Sequence, residues 1–145
     1  MSSRRRRTVA FCLWVLVIWG HSLMPADLSS QESAGPAALL MPLLGLFGVH
    51  DIHVATHIVR KAAHFSEYAI LMVLCANMLR AWRGRVDARV VASACAVLLV
   101  VSSVDETIQT FVPGRDGVPL DVLLDICGGL FGLMLYRFYV RRRAG

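Results

Sequence analysis

Four long apolar runs, separated by short polar clusters, dominate the pattern of this chain. A helix that crosses a bilayer core needs roughly 20 mainly apolar residues. Thr8–Met24, Ala62–Leu79, Ala88–Val104 and Leu120–Tyr139 have about this length. The pattern therefore predicts an all-α fold, a four-transmembrane-helix bundle, with residues 1–145 as a single domain.

The first run begins like a signal peptide, because Arg4–Arg7 directly precede it. However, it contains Trp14, Trp19 and His21, and no clean small-x-small cleavage site follows it. We therefore interpret it as a helix that is retained.

Residues 25–60, between the first two predicted helices, are expected to form an extracytoplasmic loop. Leu28–Pro36 is rich in Ser, Gly and Pro, which predicts irregular structure. Ala37–Phe47 is apolar but too short to cross a bilayer, and Pro42 interrupts it. We expect this second part to be an interfacial or re-entrant segment between helices 1 and 2.

The composition separates this chain from soluble proteins. Only 17% of its residues are charged, against about 25% in soluble domains, and 57% are hydrophobic. This composition excludes disorder and argues against a soluble enzyme. The formal net charge of +5 comes from clusters without interleaved aromatic residues, so we expect no nucleic-acid partner.

The Lys and Arg residues predict the orientation in the membrane. Only Arg60, Lys61 and Arg115 lie on one side of the four-helix arrangement. The arginines of the other side are Arg4–Arg7, Arg80, Arg83, Arg85, Arg89, Arg137 and Arg141–Arg143. Because cytoplasmic loops are enriched in Lys and Arg, both the N and C termini are predicted to be cytoplasmic.

The remaining polar residues indicate where any chemistry would occur. Every acidic residue except Asp87, and all five histidines, lie on the outer side or in the outer ends of the helices. Candidate functional residues are therefore expected at the outer face. The four cysteines lie within apolar runs without metal-ligand spacing, so we interpret them as packing residues.

An ionisable stripe accompanies the second predicted helix. At about 100° per residue, a helix from His50 to Tyr68 places its polar residues on a face about 120° wide. Glu67 lies three residues after His64 and is predicted to hold that imidazole in one tautomer. Polar groups at membrane depth normally face the interior of a bundle.

Three histidines at the start of this stripe, His50, His53 and His57, have the i, i+3, i+7 spacing of one helix face. That spacing is compatible with a zinc or other metal site. The alternative is a histidine face exposed to water. We favour the alternative and assign no metal ligand.

Polar residues also occur at the outer ends of the third and fourth predicted helices. Three of them share a helix face by their spacing: Ser102, Glu106 and Gln109. Asp121 and Asp125 share a face with Gly128 and Gly132, whose small-xxx-small spacing allows close helix approach. For Asp121, an ordinary stabilising role at a helix N-terminus is the alternative.

Two segments form motifs. Residues 61–71 read KAAHFSEYAIL, and residues 105–115 read DETIQTFVPGR, followed by Asp121 and by Gly128, Gly129 and Gly132. Their order and spacing resemble the two signatures of the VanZ-like family. The chain departs from that family at Asp125, where the family commonly has Asn, and so gains a negative charge there.

The resemblance implies a small polytopic membrane protein of the bacterial cell envelope, in the inner (cytoplasmic) membrane. The namesake protein is associated with low-level resistance to the glycopeptide teicoplanin. No agreed reaction, substrate or cofactor comes with the family, and we expect no cofactor here.

Three functions remain open. The first is binding or modification of an envelope lipid or a lipid-linked cell-wall precursor. The second is a structural or interaction protein whose polar residues tie the helices together, and the third is a small proton-coupled transporter. The expected partners are membrane lipids and, through the family, a lipid-linked precursor or a glycopeptide; a homo-oligomer is compatible with each function.

Under the first function, His64, Glu67 and Glu106 are candidate acid–base groups, because they can exchange protons at an outer-face pocket. The candidate ligand-binding residues are Lys61, Tyr68, Gln109, Arg115, Asp121 and Asp125. Arg115 and Lys61 would contact phosphate, Arg through paired donors.

Overall fold

The computed structural model describes residues 2–115 and 117–142, and within them it contains helices and no strands. In chain order the helices are α1 (Ser3–Ser22), α2 (Ala26–Gly45), α3 (Ile52–Arg83), α4 (Ala88–Gln109) and α5 (Pro119–Arg142). The predicted all-α fold is confirmed. Arg143, which the charge distribution above includes, lies outside the described residues.

Three of these helices, α3, α4 and α5, are each long and apolar enough to cross a membrane. Helix α1 does not meet this condition alone, because its first turns carry arginines. Helices α1 and α2 meet it together, joined at a bend of 106° that corresponds to a broken span or a re-entrant loop. The described chain is thus a multi-pass helical protein with three spans, or four if the bent pair forms one.

The predicted basic clusters meet at one end of the bundle. The guanidinium of Arg7 donates to the Asn77 carbonyl oxygen at 3.4 Å, and that of Arg4 lies over the Trp82 ring at 5.6 Å from its centroid. These contacts bring the start of α1 to the end of α3. The side of the membrane that this end faces stays a prediction.

The prediction of irregular structure over Leu28–Pro36 is wrong, because α2 runs through it from Ala26. An interior proline removes a helix hydrogen bond, yet both Pro36 and Pro42 lie within α2. Contacts with α3 explain why the helix persists: Ser29 and Ala37 are buried on that side. Tertiary packing therefore overrides the local preference of the segment.

The opposite side of α2 carries its large apolar residues. Leu39 is 83% exposed, and Leu46 and Phe47, just after the helix, are about 80% exposed. An apolar face that points away from the protein fits the predicted interfacial or re-entrant segment. Because α1 begins at the end of the bundle that carries the contacts of Arg4 and Arg7, the bend after it places α2 at the opposite end.

Helix α3 is longer than the predicted run because both of its ends are capped. The Asp51 carboxylate accepts the His53 backbone N–H at 2.7 Å, and Gly84 ends the helix with φ of 78°. Glycine tolerates this left-handed conformation without a side-chain clash. The predicted helix from His50 is therefore wrong by two residues, since His50 precedes the cap.

Helices α3 and α5 form the most extensive helix contact of the fold. Gly128 lies against the α3 backbone at Phe65, and Gly132 lies against it at Ala69. A Cβ atom at either glycine would overlap a backbone carbonyl oxygen of α3. The close approach predicted from the glycine spacing is confirmed, and it holds Asp125 against α3.

Candidate functional site

A cavity of about 200 Å³ opens between α3, α5 and the connection from α4 to α5. Most of the predicted site residues line it, although they come from distant parts of the sequence: Lys61, His64, Gln109, Arg115, Asp121 and Asp125. His57, Arg60, Gly114, Val118 and Leu124 complete its walls. The cavity therefore combines cationic, titratable and amide side chains in one place.

A cluster of one histidine and two aspartates lies at the inner side of the cavity, and His64 and Asp125 of this cluster line it. His64 Nδ1 lies 3.6 Å from an Asp125 oxygen and 3.9 Å from an Asp105 oxygen. Both aspartates are fully buried, whereas the His64 side chain is 15% exposed. His64 thus lies between the interior of the bundle and the cavity.

Each aspartate of this cluster is held through its other oxygen by a buried serine. Ser22 of α1 donates a short hydrogen bond to Asp105 Oδ1, and Ser102 donates to Asp125 Oδ2 at 3.1 Å. The oxygens that remain, Asp105 Oδ2 and Asp125 Oδ1, are the ones that face His64. The helices therefore fix both the position and the orientation of the two carboxylates.

The predicted contact between Glu67 and His64 is wrong. Glu67 Oε1 lies 2.6 Å from Nδ1 of His21 in α1, and the Glu67 carbonyl oxygen accepts the Trp14 indole N–H at 2.9 Å. A spacing of three residues makes two helix side chains neighbours but does not force them to meet. Here Glu67 turns to α1, while His64 turns to α4 and α5.

Glu106, the other predicted acid–base residue, holds the connection between α4 and α5. Its Oε2 accepts the Val118 backbone N–H at 3.0 Å, and its Oε1 accepts from the Gln109 amide at 3.4 Å. Gln109 also donates to Asp105 at 3.3 Å. Glu106 therefore positions this connection, and through Gln109 it reaches the cluster.

Two opposite charges form a pair at the mouth of the cavity. The Lys61 ammonium contacts the Asp121 carboxylate and joins α3 to the first turn of α5. Both side chains remain partly exposed, at 28% and 20%. Because they are partly exposed, the Lys61 and Asp121 side chains remain accessible to a charged ligand.

Arg115 lies in the connection between α4 and α5 and lines the cavity. Its Nε is buried and has no hydrogen-bond partner. Burial lowers the pKa of Arg115 below its ordinary value, and the charge of nearby Arg60 lowers it further. A partly buried guanidinium that lines a cavity is a favourable site for an anion.

The remaining predicted residues lie away from the cavity centre. His53 is exposed, and His57 Nδ1 meets the Arg60 guanidinium at 3.3 Å. The ring of His50 lies near Gly45, before α3 begins. The three histidines with i, i+3, i+7 spacing therefore do not share one helix.

Tyr68 lies deeper, one turn after His64. Its side chain is fully buried, and its hydroxyl faces Asp105 and Asp125 without a partner at normal hydrogen-bond geometry. It does not line the cavity. Tyr68 thus belongs to the buried side of the cluster, behind His64.

Comparison with known proteins identifies the family of this chain. The family model described as VanZ/LLP1 matches residues 8–140. The chain belongs to the VanZ/LLP1 family. No curated protein and no solved structure matches it. Both motifs that pointed to this family border the cavity, the first through Lys61 and His64 and the second through Arg115.

Ser22 was not predicted from the sequence as part of this VanZ/LLP1 site, and Ser102 and Asp105 were noted there without an assigned role; of the three, only Asp105 faces His64. The buried positions of α4 include Ala94, Leu98, Val101 and Asp105, at spacings of three and four residues. That periodicity was available in the sequence and places Asp105 on the packed face. No comparable signal identifies Ser22, since its partner lies 83 residues away in the chain.

Proposed function

We propose that this VanZ/LLP1 protein binds a phosphate-bearing envelope lipid, or a lipid-linked cell-wall precursor, with its headgroup in the cavity. Because α3, α4 and α5 are long and apolar enough to span a membrane, the cavity between them would lie beside the lipid phase. The cations of its wall supply the charge that a phosphate requires. His64, at its inner wall, supplies a titratable group at the position where the headgroup would lie.

The single observation that carries this proposal is the unpaired Nε of Arg115. A buried polar group without a partner destabilises a fold, so a purely structural network would be expected to satisfy it. A phosphate oxygen in the cavity would supply an acceptor for Arg115, and Lys61 lines the same cavity. Arginine suits this task because its guanidinium offers several donors in a fixed plane.

A structural role is the second candidate function, and specific contacts favour it. Lys61–Asp121, His21–Glu67 and Ser22–Asp105 each join two different helices. The two functions differ in what they predict for Arg115. In a structural network its loss would lower stability, whereas in a ligand site its loss would lower ligand retention and leave the fold intact.

We expect Arg115→Gln to lower the amount of phosphate-bearing lipid that co-purifies with the protein by about tenfold, because charge-assisted hydrogen bonds contribute about 1.5–3 kcal/mol. The melting temperature should stay unchanged or rise. Lipid would be extracted from equal amounts of purified protein and quantified by mass spectrometry.

The matched control is Arg89→Gln, the same change at an exposed position of α4. This variant should retain lipid like the wild type. Equal lipid retention by Arg115→Gln and the wild type would contradict the proposal. A lowered melting temperature with unchanged lipid retention would favour the structural function.

The cellular setting belongs to the same proposal. The arginines gathered at one end support a multi-pass protein of the bacterial inner membrane with both termini in the cytoplasm. The cavity would then open toward the outer leaflet. A contribution to teicoplanin resistance is proposed only through the family's namesake.

A further inference from the structure

The geometry points to a divalent metal site formed by His64, Asp105 and Asp125, and we propose that it holds Zn²⁺ or Mn²⁺ at the inner wall of the cavity. These residues differ from the histidines that the sequence offered as metal candidates. One nitrogen and two carboxylate oxygens form a ligand set of the kind that binds these ions.

The distances between the ligand atoms fit one ion. One atom from each residue can be chosen so that all three lie within 4.8 Å of one another. His64 Nδ1 is 3.6 Å and 3.9 Å from the two oxygens. Ligands at about 2.1 Å from a tetrahedral zinc are about 3.4 Å apart, so the two distances from His64 exceed this value by only a few tenths of an ångström.

The carboxylates are also oriented as metal ligands usually are. Ser22 and Ser102 hold one oxygen of each aspartate and leave the other directed at His64. Hydrogen bonds of this kind to the outer side of a ligand fix its geometry and raise metal affinity. The serines lie on α1 and α4, while the aspartates lie on α4 and α5, so three helices build the arrangement.

A separate observation indicates that the cluster lacks a partner. The fully buried Tyr68 hydroxyl faces the two aspartates without a hydrogen bond, and Asp125 Oδ1 likewise has none. Two carboxylates beside one imidazole would leave a negative charge in the interior when both are ionised, which is unfavourable. A divalent ion beside a neutral His64 would neutralise the charge of both carboxylates and would be coordinated by Asp125 Oδ1.

The site has an entrance. His64 and Asp125 line the cavity as well as the cluster, so an ion held there would have coordination positions directed toward a bound headgroup. This part of the inference rests on the proposed function. A phosphate group in the cavity could then contact both the ion at the inner side and the Arg115 guanidinium at the wall.

The experiment measures metal binding directly. Tag-free protein in detergent would be stripped with a chelator, dialysed against Zn²⁺ or Mn²⁺ and analysed by elemental mass spectrometry. We expect one equivalent of ion per wild-type chain. Asp125→Asn and Asp105→Asn should each weaken binding by at least about tenfold, because both keep their shape but lose a charged ligand.

Asp87→Asn is the matched control, since Asp87 caps α4 at the other end of the bundle and asparagine caps a helix equally well. It should bind metal like the wild type. Wild-type protein without a stoichiometric ion would overturn the inference. Equal binding by wild type and both cluster variants would overturn it too, because the ion would lie elsewhere.

The outcome is separable from the proposed function. Absent metal with Arg115-dependent lipid retention would overturn the metal site and leave the lipid proposal standing. Stoichiometric metal binding that depends on Asp125, with no preference for phosphate-bearing lipid, would support the metal site and overturn the lipid proposal.

Discussion

Gly132→Leu is expected to prevent most of the protein from reaching its folded state. The Gly132 backbone lies against α3 at Ala69, where even a Cβ atom would overlap the carbonyl oxygen. Helix α5 would have to move away from α3 along their main contact. Overpacking typically lowers the free energy of unfolding by about 1–3 kcal/mol, and we expect about 3 kcal/mol or more because backbone atoms cannot rotate aside.

The measurement is the melting temperature and the monodisperse yield in detergent. Gly20→Leu is the matched control, because Gly20 is an exposed helix glycine with no atom near its Cβ position. It should fold like the wild type. A Gly132→Leu protein with wild-type yield and melting temperature would show that α3 and α5 do not approach as described.

His64→Ala is expected to lower the free energy of unfolding by about 3–5 kcal/mol. Removal of one member of a buried charge group leaves the others uncompensated, and here Asp105 and Asp125 are both fully buried. The second change Asp125→Asn removes one of those charges. The double variant His64→Ala/Asp125→Asn should therefore recover a large part of the loss.

Equilibrium unfolding in mixed micelles of the wild type, both single variants and the double variant gives the coupling free energy. Protein stripped of metal ions should be used throughout, so that the coupling reflects the side chains alone. Additive effects of the two substitutions would contradict a direct interaction between His64 and Asp125.

The spans of this fold could be predicted because length and hydropathy alone decide them. The predicted runs at Ala62–Leu79, Ala88–Val104 and Leu120–Tyr139 all lie within observed helices. Their ends differ because caps such as Asp51 extend a helix into polar sequence. Helix α2 could not be predicted, since its stability comes from packing on α3 while its own prolines oppose it.

In the candidate site, too, features that depend on neighbouring residues in the sequence could be predicted, whereas contacts between distant residues could not. Most members of the cavity wall were found because charged residues are rare and conspicuous at membrane depth. The contacts that these side chains make with other helices were not predicted, and the Glu67–His21 contact is an example. Spacing along one helix restricts neighbours on that helix but carries no information on which other helix a side chain faces.

Recognition of phosphate on a membrane lipid by the cavity can be tested by a native mass-spectrometry titration with a polyprenyl phosphate and the matching polyprenol, which share a tail and differ only in the phosphate. We predict that the wild type prefers the phosphate by about tenfold or more and that Arg115→Gln loses this preference while Arg89→Gln keeps it. Equal affinity of the wild type for the two lipids would contradict phosphate recognition by this cavity.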